Sequence, residues 1–176
     1  MARDMREPPH VSVLLVCTGN ICRSPTAEGV LRHHVRERGL EGRIVIASAG
    51  TQDYHVGEAP DPRAVKYAGR RGYDLSALRA AHLTLEDFER HDYILAMDRS
   101  HLRWMQQMAP AGSRARLGLF LEGSARWKGE DVPDPYYGSV EAFELVLDMV
   151  EEAAARWVDR FAAELDPGAF RLQEPG

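Results

Sequence analysis

Cysteine is scarce in this chain: there are two in 176 residues, and only four residues lie between them. A framework of several disulfides is therefore excluded, and one bridge from Cys17 to Cys22 would close too short a loop to stabilise much. No apolar run approaches the ~18 residues of a membrane span, and Met1 to His10 carries charges and a Pro8-Pro9 pair where an export signal would be apolar. These absences lead to the expectation of a cytoplasmic protein without membrane contact. Excess positive charge is also missing, since the net charge is -5, and this argues against a nucleic-acid partner. Internal repeats and low-complexity tracts are absent too.

What is present is enough apolar material, 44% of residues, to fill one core. A single domain is expected over 11–165, with a flexible segment over 1–10 before it and a loose tail over 166–176 after it. The negative charge is local. Residues 141–166 hold eight acids against Arg156 and Arg160, so that stretch carries -6 and the remainder +1. The same stretch places Phe143, Val146, Leu147, Val150, Ala154, Trp157, Val158 and Phe161 at three- and four-residue spacing, which predicts a packing helix from Val140 to about Leu165 with a solvated acidic face.

Short apolar runs recur at Val11–Val16, Ile44–Ala47, Tyr93–Met97 and Leu117–Leu121, the pattern of strands buried on both faces. Helical stretches fall between and after them at Pro25–Arg38, Pro62–Arg71, Leu85–Arg90 and Ser100–Met108. Such alternation predicts an α/β fold: a doubly wound, four-stranded parallel sheet with helices on both faces, in the flavodoxin-like manner. In such sheets a ligand binds beyond the carboxyl ends of the strands, where the winding reverses, so the loop after the first strand is the place to look.

That loop reads Cys17-Thr18-Gly19-Asn20-Ile21-Cys22-Arg23-Ser24-Pro25. Ser24 suits a helix N-cap and Pro25 a first helical position, so the backbone N–H groups from Thr18 onward would converge on one point and cradle an anion. The Gly-Lys-Ser/Thr ending of a nucleotide-binding loop is absent. In its place stand a cysteine at the floor and an arginine at the rim. Positive potential from a helix N-terminus and a guanidinium stabilises a thiolate, and the planar guanidinium can grip two phosphate oxygens together. A metal pair of Cys17 and Cys22 is disfavoured because Arg23 would repel a cation. A thiolate attacking a phosphate ester also needs a proton donor for the leaving oxygen. Asp134, held between Pro133 and Pro135 ahead of Tyr136-Tyr137-Gly138, is one candidate; Asp131 is a rival, and an Asp-Pro pair can also be a plain turn.

Taken together, Cys17 to Pro25 and Asp134-Pro135-Tyr136-Tyr137-Gly138 resemble the low-molecular-weight protein tyrosine phosphatase family. Agreement continues through Ser48-Ala49-Gly50-Thr51, His55-Val56-Gly57, Asp61-Pro62-Arg63 and Ile94-Leu95-Ala96-Met97-Asp98, covering about Val11 to Phe161. The resemblance implies that Cys17 forms a phosphocysteine, that Arg23 clamps the phosphate, and that Asp134 protonates the departing phenol and then activates water. It further implies that Thr18, Gly19, Asn20, Ile21 and Cys22 line the phosphate site. Asn20 would hold the loop's backbone, Ser24 would bond the thiolate, Ser48 would support the network, and Tyr54 and Tyr137 would wall the cleft. No metal or organic cofactor is implied. The partners expected are phosphotyrosine-containing proteins and a cognate tyrosine kinase; family members can themselves be phosphorylated at the Tyr136-Tyr137 pair.

The chain also departs from the family. After Asp74-Leu75-Ser76 the family often reads Gly-His-Arg-Ala-Arg-Gln, whereas this chain reads Ala77-Leu78-Arg79-Ala80-Ala81-His82. The missing histidine steadies the phosphate loop in the family, and His82, better read as a surface or packing residue, is the nearest substitute. His101 replaces an asparagine common after Met-Asp-x-Ser, a change that the sequence alone does not explain. Arsenate reductases of the same fold need further cysteines downstream, and none follows Cys22. Arginine phosphatases of the family carry threonine where Ile21 stands, so Ile21 favours an aryl ester. A phosphate-binding module without activity would be expected to have lost Cys17, Arg23 or Asp134. Cys22 could trap an oxidised Cys17 as a disulfide, or simply fill space under the loop.

Overall fold

A computed structural model of the chain describes residues 10–167, so the expected flexible start and loose tail fall almost wholly outside the described residues. The central strand β1 (Val11–Cys17) is buried along its whole length. Its alternating side chains feed two cores, with Val13, Leu15 and Cys17 on one face and Leu14 and Val16 on the other. Strand β2 (Ile44–Gly50) pairs with one edge of β1 in parallel, from Val11↔Ile44 to Cys17↔Gly50. On the other edge β3 (Tyr93–Ala96) pairs with β1, and β4 (Arg116–Leu119) pairs with β3, both in parallel. The order β2-β1-β3-β4 reverses direction between β1 and β3, so the carboxyl ends of those two strands frame the crevice expected from the pattern.

Helices cover both faces. On the first, α1 (Arg23–Glu37) turns Ala27, Val30, Leu31 and Val35 inward, and α2 (Pro62–Arg70) and α5 (Val140–Leu165) pack with it. On the second lie α3 (Asp87–Arg90) and α4 (Arg99–Met108), which contribute Phe88 and Met105. Capping explains where these helices begin. Asp61 accepts the Arg63 N–H ahead of Pro62, and Asp98 accepts the N–H groups of Ser100 and His101.

Several features differ from the sequence pattern. The fourth strand stops at Leu119, and Phe120–Gly123 winds into a 3-10 turn because the Trp157 indole N–H on α5 takes the Phe120 carbonyl at 2.6 Å. The helix expected over Leu85–Arg90 shortens to one turn because the Asp87 carboxylate draws the Thr84 N–H into a preceding turn. The acidic face of α5 is not left to water alone. Glu144, Asp148 and Glu151 converge on Arg71, Asp159 meets Arg38, Glu164 meets Arg116 and Asp166 meets Arg43. The arginines of the remaining chain thus answer the local charge of α5.

Candidate active site

The loop between β1 and α1 runs tightly over the end of β2. At Gly50 a Cβ would come within 2.6 Å of the Thr18 carbonyl oxygen, so this close crossing requires glycine. Backbone N–H groups of Thr51 and Gln52 hold the Cys17 and Thr18 carbonyls at 2.9 and 3.0 Å, and Asp61 N–H holds that of Ile21 at 2.8 Å. Asn20 adopts a left-handed conformation with φ 59°, which asparagine tolerates better than most residues. Its side chain is fully engaged. The carbonyl oxygen accepts the Ala81 N–H at 2.9 Å, which orients the amide, and the amide nitrogen donates to Ser24 Oγ at 2.7 Å and Ser48 Oγ at 2.9 Å.

That orientation gives the network a direction. Both serine oxygens already accept from Asn20, so the Ser24 hydroxyl turns its proton to Cys17 Sγ at 2.9 Å and Ser48 donates to Glu28 Oε1 at 2.6 Å. The buried Glu28 is balanced by Arg32 at 2.7 Å. An O–H aimed at sulfur, together with the N-terminus of α1, provides what a sulfur anion needs. The sequence pattern placed Ser24 at the N-cap; instead α1 starts at Arg23, Cys22 stands at the cap without a side-chain bond, and the Ser24 hydroxyl serves Cys17.

Arg23 is buried and pinned. Its Nη1 donates to Asp98 Oδ2 at 2.8 Å and to the Val132 carbonyl at 3.1 Å, which leaves its Nε–Nη2 edge for an anion. Burial opposes the charge on Asp98, but hydrogen bonds from Ser100 and Arg23 and the neighbouring His101 outweigh it and bring the carboxyl down to about 2. Asp134 Oδ2 stands 3.8 Å from Arg23 Nη2, with its side chain 53% exposed. Its other oxygen takes the Tyr136 N–H at 3.1 Å, and Arg63 grips the Tyr136 carbonyl at 2.9 Å, tying the 134–136 loop to the start of α2. Asp131 is held instead by the backbone and guanidinium of Arg99.

Cys17, Thr18, Gly19, Ile21, Cys22, Arg23 and Asp134 line a cavity of about 260 Å³ whose mouth carries Tyr54 and Tyr137, the latter 95% exposed. Asn20, Ser24 and Ser48 do not line it; the Asn20 amide bonds both serine hydroxyls behind the cavity wall. Burial first, then Asp61 and Cys17, push the Cys22 thiol up to about 12, so Cys22 stays protonated under the loop. His82 bonds the Thr51 carbonyl at 3.3 Å and does not reach Asn20, whose carbonyl is held by the Ala81 backbone. The motifs name His55 and Tyr136 without a place in the site, yet both line the cavity; His101 stands out in sequence without a role, and the buried Glu28 carries no signal there. Among the described residues no group of three or more His, Cys, Asp or Glu side chains could hold a metal ion.

Comparison with known proteins places this geometry in a family. The model of the low molecular weight phosphotyrosine protein phosphatase family matches residues 12–167. The low molecular weight phosphotyrosine protein phosphatase of Schizosaccharomyces pombe is 45% identical over 135 residues, covering 76% of this chain and 86% of that protein. The crystal structure of a protein tyrosine phosphatase from Entamoeba histolytica superposes with a TM-score of 0.83 at 32% identity, covering 88% of this chain and 98% of the other. A Drosophila arginine phosphatase superposes with a TM-score of 0.79 at 30% identity, covering 85% and 96%. With its family model matched almost end to end across the described residues, this chain belongs to the low molecular weight phosphotyrosine protein phosphatases.

Proposed function

We propose that Cys17 Sγ attacks the phosphorus of a protein phosphotyrosine, forming an S–P bond as the P–O bond to the ring breaks. Asp134 in its protonated form gives its proton to the departing phenolate oxygen. The resulting carboxylate then takes a proton from a water molecule, whose oxygen attacks the phosphocysteine; phosphate leaves and the Cys17 thiolate is restored. Arg23 and the N–H groups from Thr18 to Ser24 hold the phosphoryl oxygens through both steps. Asn20, Ser24 and Ser48 keep the loop and the sulfur aligned, and Tyr54 and Tyr137 flank the aromatic ring of the substrate.

The observation that carries this reading is the convergence of Cys17, Arg23 and Asp134 on one cavity with tyrosines at its mouth. Ile21 adds an apolar wall suited to an aryl ester. We assign catalysis to residues 11–165 as one domain, acting in the cytoplasm on phosphotyrosine proteins made by a cognate tyrosine kinase. Two unpaired cysteines fit a reducing compartment, and no helix among the described residues is long and apolar enough to cross a membrane.

The testing experiment compares turnover on phosphotyrosine, phosphoserine and phosphoarginine peptides, with Asp134→Ala beside the native chain. Phosphotyrosine should be preferred, and D134A should lower kcat/KM, which reports the first step, by about 10²–10⁴-fold for esters of ordinary phenols while sparing it for those with good leaving groups. Equal slowing of both would assign the proton to another residue, and a preference for phosphoarginine would replace the substrate class.

A further inference from the structure

Thr18 follows the nucleophile directly and lines the cavity, yet its side chain is bonded to a residue far away in the chain. His101, in the first turn of α4 and only 2% exposed, places Nε2 2.8 Å from Thr18 Oγ1. The other ring nitrogen faces the Asp98 backbone N–H at 3.2 Å and Asp98 Oδ1 at the same distance. That oxygen already accepts from Ser100 N, Ser100 Oγ and His101 N, whereas the backbone N–H can only donate. Nδ1 is therefore the acceptor, and the proton of a neutral ring sits on Nε2, directed at Thr18. Burial supports the neutral ring, pushing its pKa down to about 4 against the pull of Asp98.

We propose that His101 is a positioning residue of this phosphatase, which fixes Thr18 and with it the first turn of the phosphate loop against the Asp98–Arg23 clamp. The inference rests on the phosphatase reading above. Capping α4 needs only the Nδ1 side of the ring; the Nε2 side extends from a rigid helix to a loop. Asp98 joins the two, since one carboxylate oxygen caps α4 and the other holds Arg23. A single capping box thus sets both the guanidinium and the residue beside the nucleophile. Because His101 fills the acceptor side of the Thr18 hydroxyl, that hydroxyl's proton is left for the cavity.

The test is a double-variant cycle on Thr18 and His101, using an aryl phosphate as substrate. H101N reaches only as far as Nδ1, so it keeps the cap and loses Thr18; H101Q reaches toward the Nε2 position. T18V removes the acceptor, and T18S keeps it. T18V and H101N should each lower kcat about tenfold with little change in KM, the worth of one well-placed hydrogen bond in the transition state. The double variant should be no slower than the slower single variant, T18S and H101Q should regain most of the loss, and imidazole nitrogen NMR should show a protonated Nε2 whose signal moves in T18V. Native turnover in T18V, losses that multiply in the double variant, or a proton on Nδ1 would each overturn the inference. Because T18V changes a loop side chain outside the cores, it tests the bond even if the His101 variants fold poorly. A native chain that hydrolyses no aryl phosphate would instead overturn the phosphatase reading itself.

Discussion

Around Cys17 each polar side chain has a fixed partner and a direction, whereas on the outer face Arg71 gathers Glu144, Asp148 and Glu151 from α5 in a half-exposed cluster. Both networks are rich in hydrogen bonds. They differ in what a broken bond leaves behind. In the buried loop a lost donor strands another polar atom away from water, which costs more than the net worth of the bond. On α5 water and salt replace a lost partner at little cost. Buried direction therefore serves chemistry, while exposed multiplicity serves docking of α2 on α5.

The comparison can be broken first at Asn20. N20A removes both donations to the serines and the bond from Ala81, and it places a Cβ residue without a helpful side chain at φ 59°. A fall in kcat of about 10²-fold is expected in steady-state assays, from misplacement of the reacting groups. N20G, which relieves the backbone but not the network, should recover only part of it.

A smaller effect is expected from pH acting on His101. Its ordinary pKa is 6.5, and in the folded chain burial holds it near 4. Between those values the unfolded chain binds more protons, so stability falls as pH drops through this window, by about 2 kcal/mol at pH 5. His34, lowered by burial and by His33, pulls the same way, while Asp98 adds its own loss only below about 4. Denaturant unfolding at pH 7 and pH 5 should show the loss, and H101N should reduce the slope to the His34 share.

The smallest effect belongs to the surface. R71A should cost about 1 kcal/mol, less at high salt, with kcat unchanged, as read by parallel melting and activity measurements. A large activity loss there would erase the distinction between the two networks.

How much of this was legible in sequence follows from the range of the interactions. The strand runs, the reversal point and the Cys17-to-Arg23 loop are local patterns, and they appear where apolar periodicity and helix-start residues place them. The helix-start pattern puts Ser24 at a cap while the family resemblance gives it to the Cys17 sulfur, and the structure has the second, a choice that depends on Asn20. The end of β4 depends on an indole 37 positions later. His101 stands out in sequence only as a departure from the asparagine common in the family, and its purpose is hidden there because its partner Thr18 lies 83 residues away. Asp131 and Asp134 look alike by spacing, and in sequence the family resemblance alone favours Asp134; in the structure Asp131 pairs with Arg99, whereas Asp134 comes within 3.8 Å of Arg23.

The central claim is that Cys17 carries the phosphoryl group covalently, and it is tested by acid-quenching the enzyme during turnover of a phosphotyrosine peptide and locating the phosphoryl group by mass spectrometry. Phosphate is expected on Cys17 alone during turnover by the native chain, with no turnover in C17S. Undiminished turnover in C17S, or a phosphoryl group on Cys22 or on no residue, would contradict it.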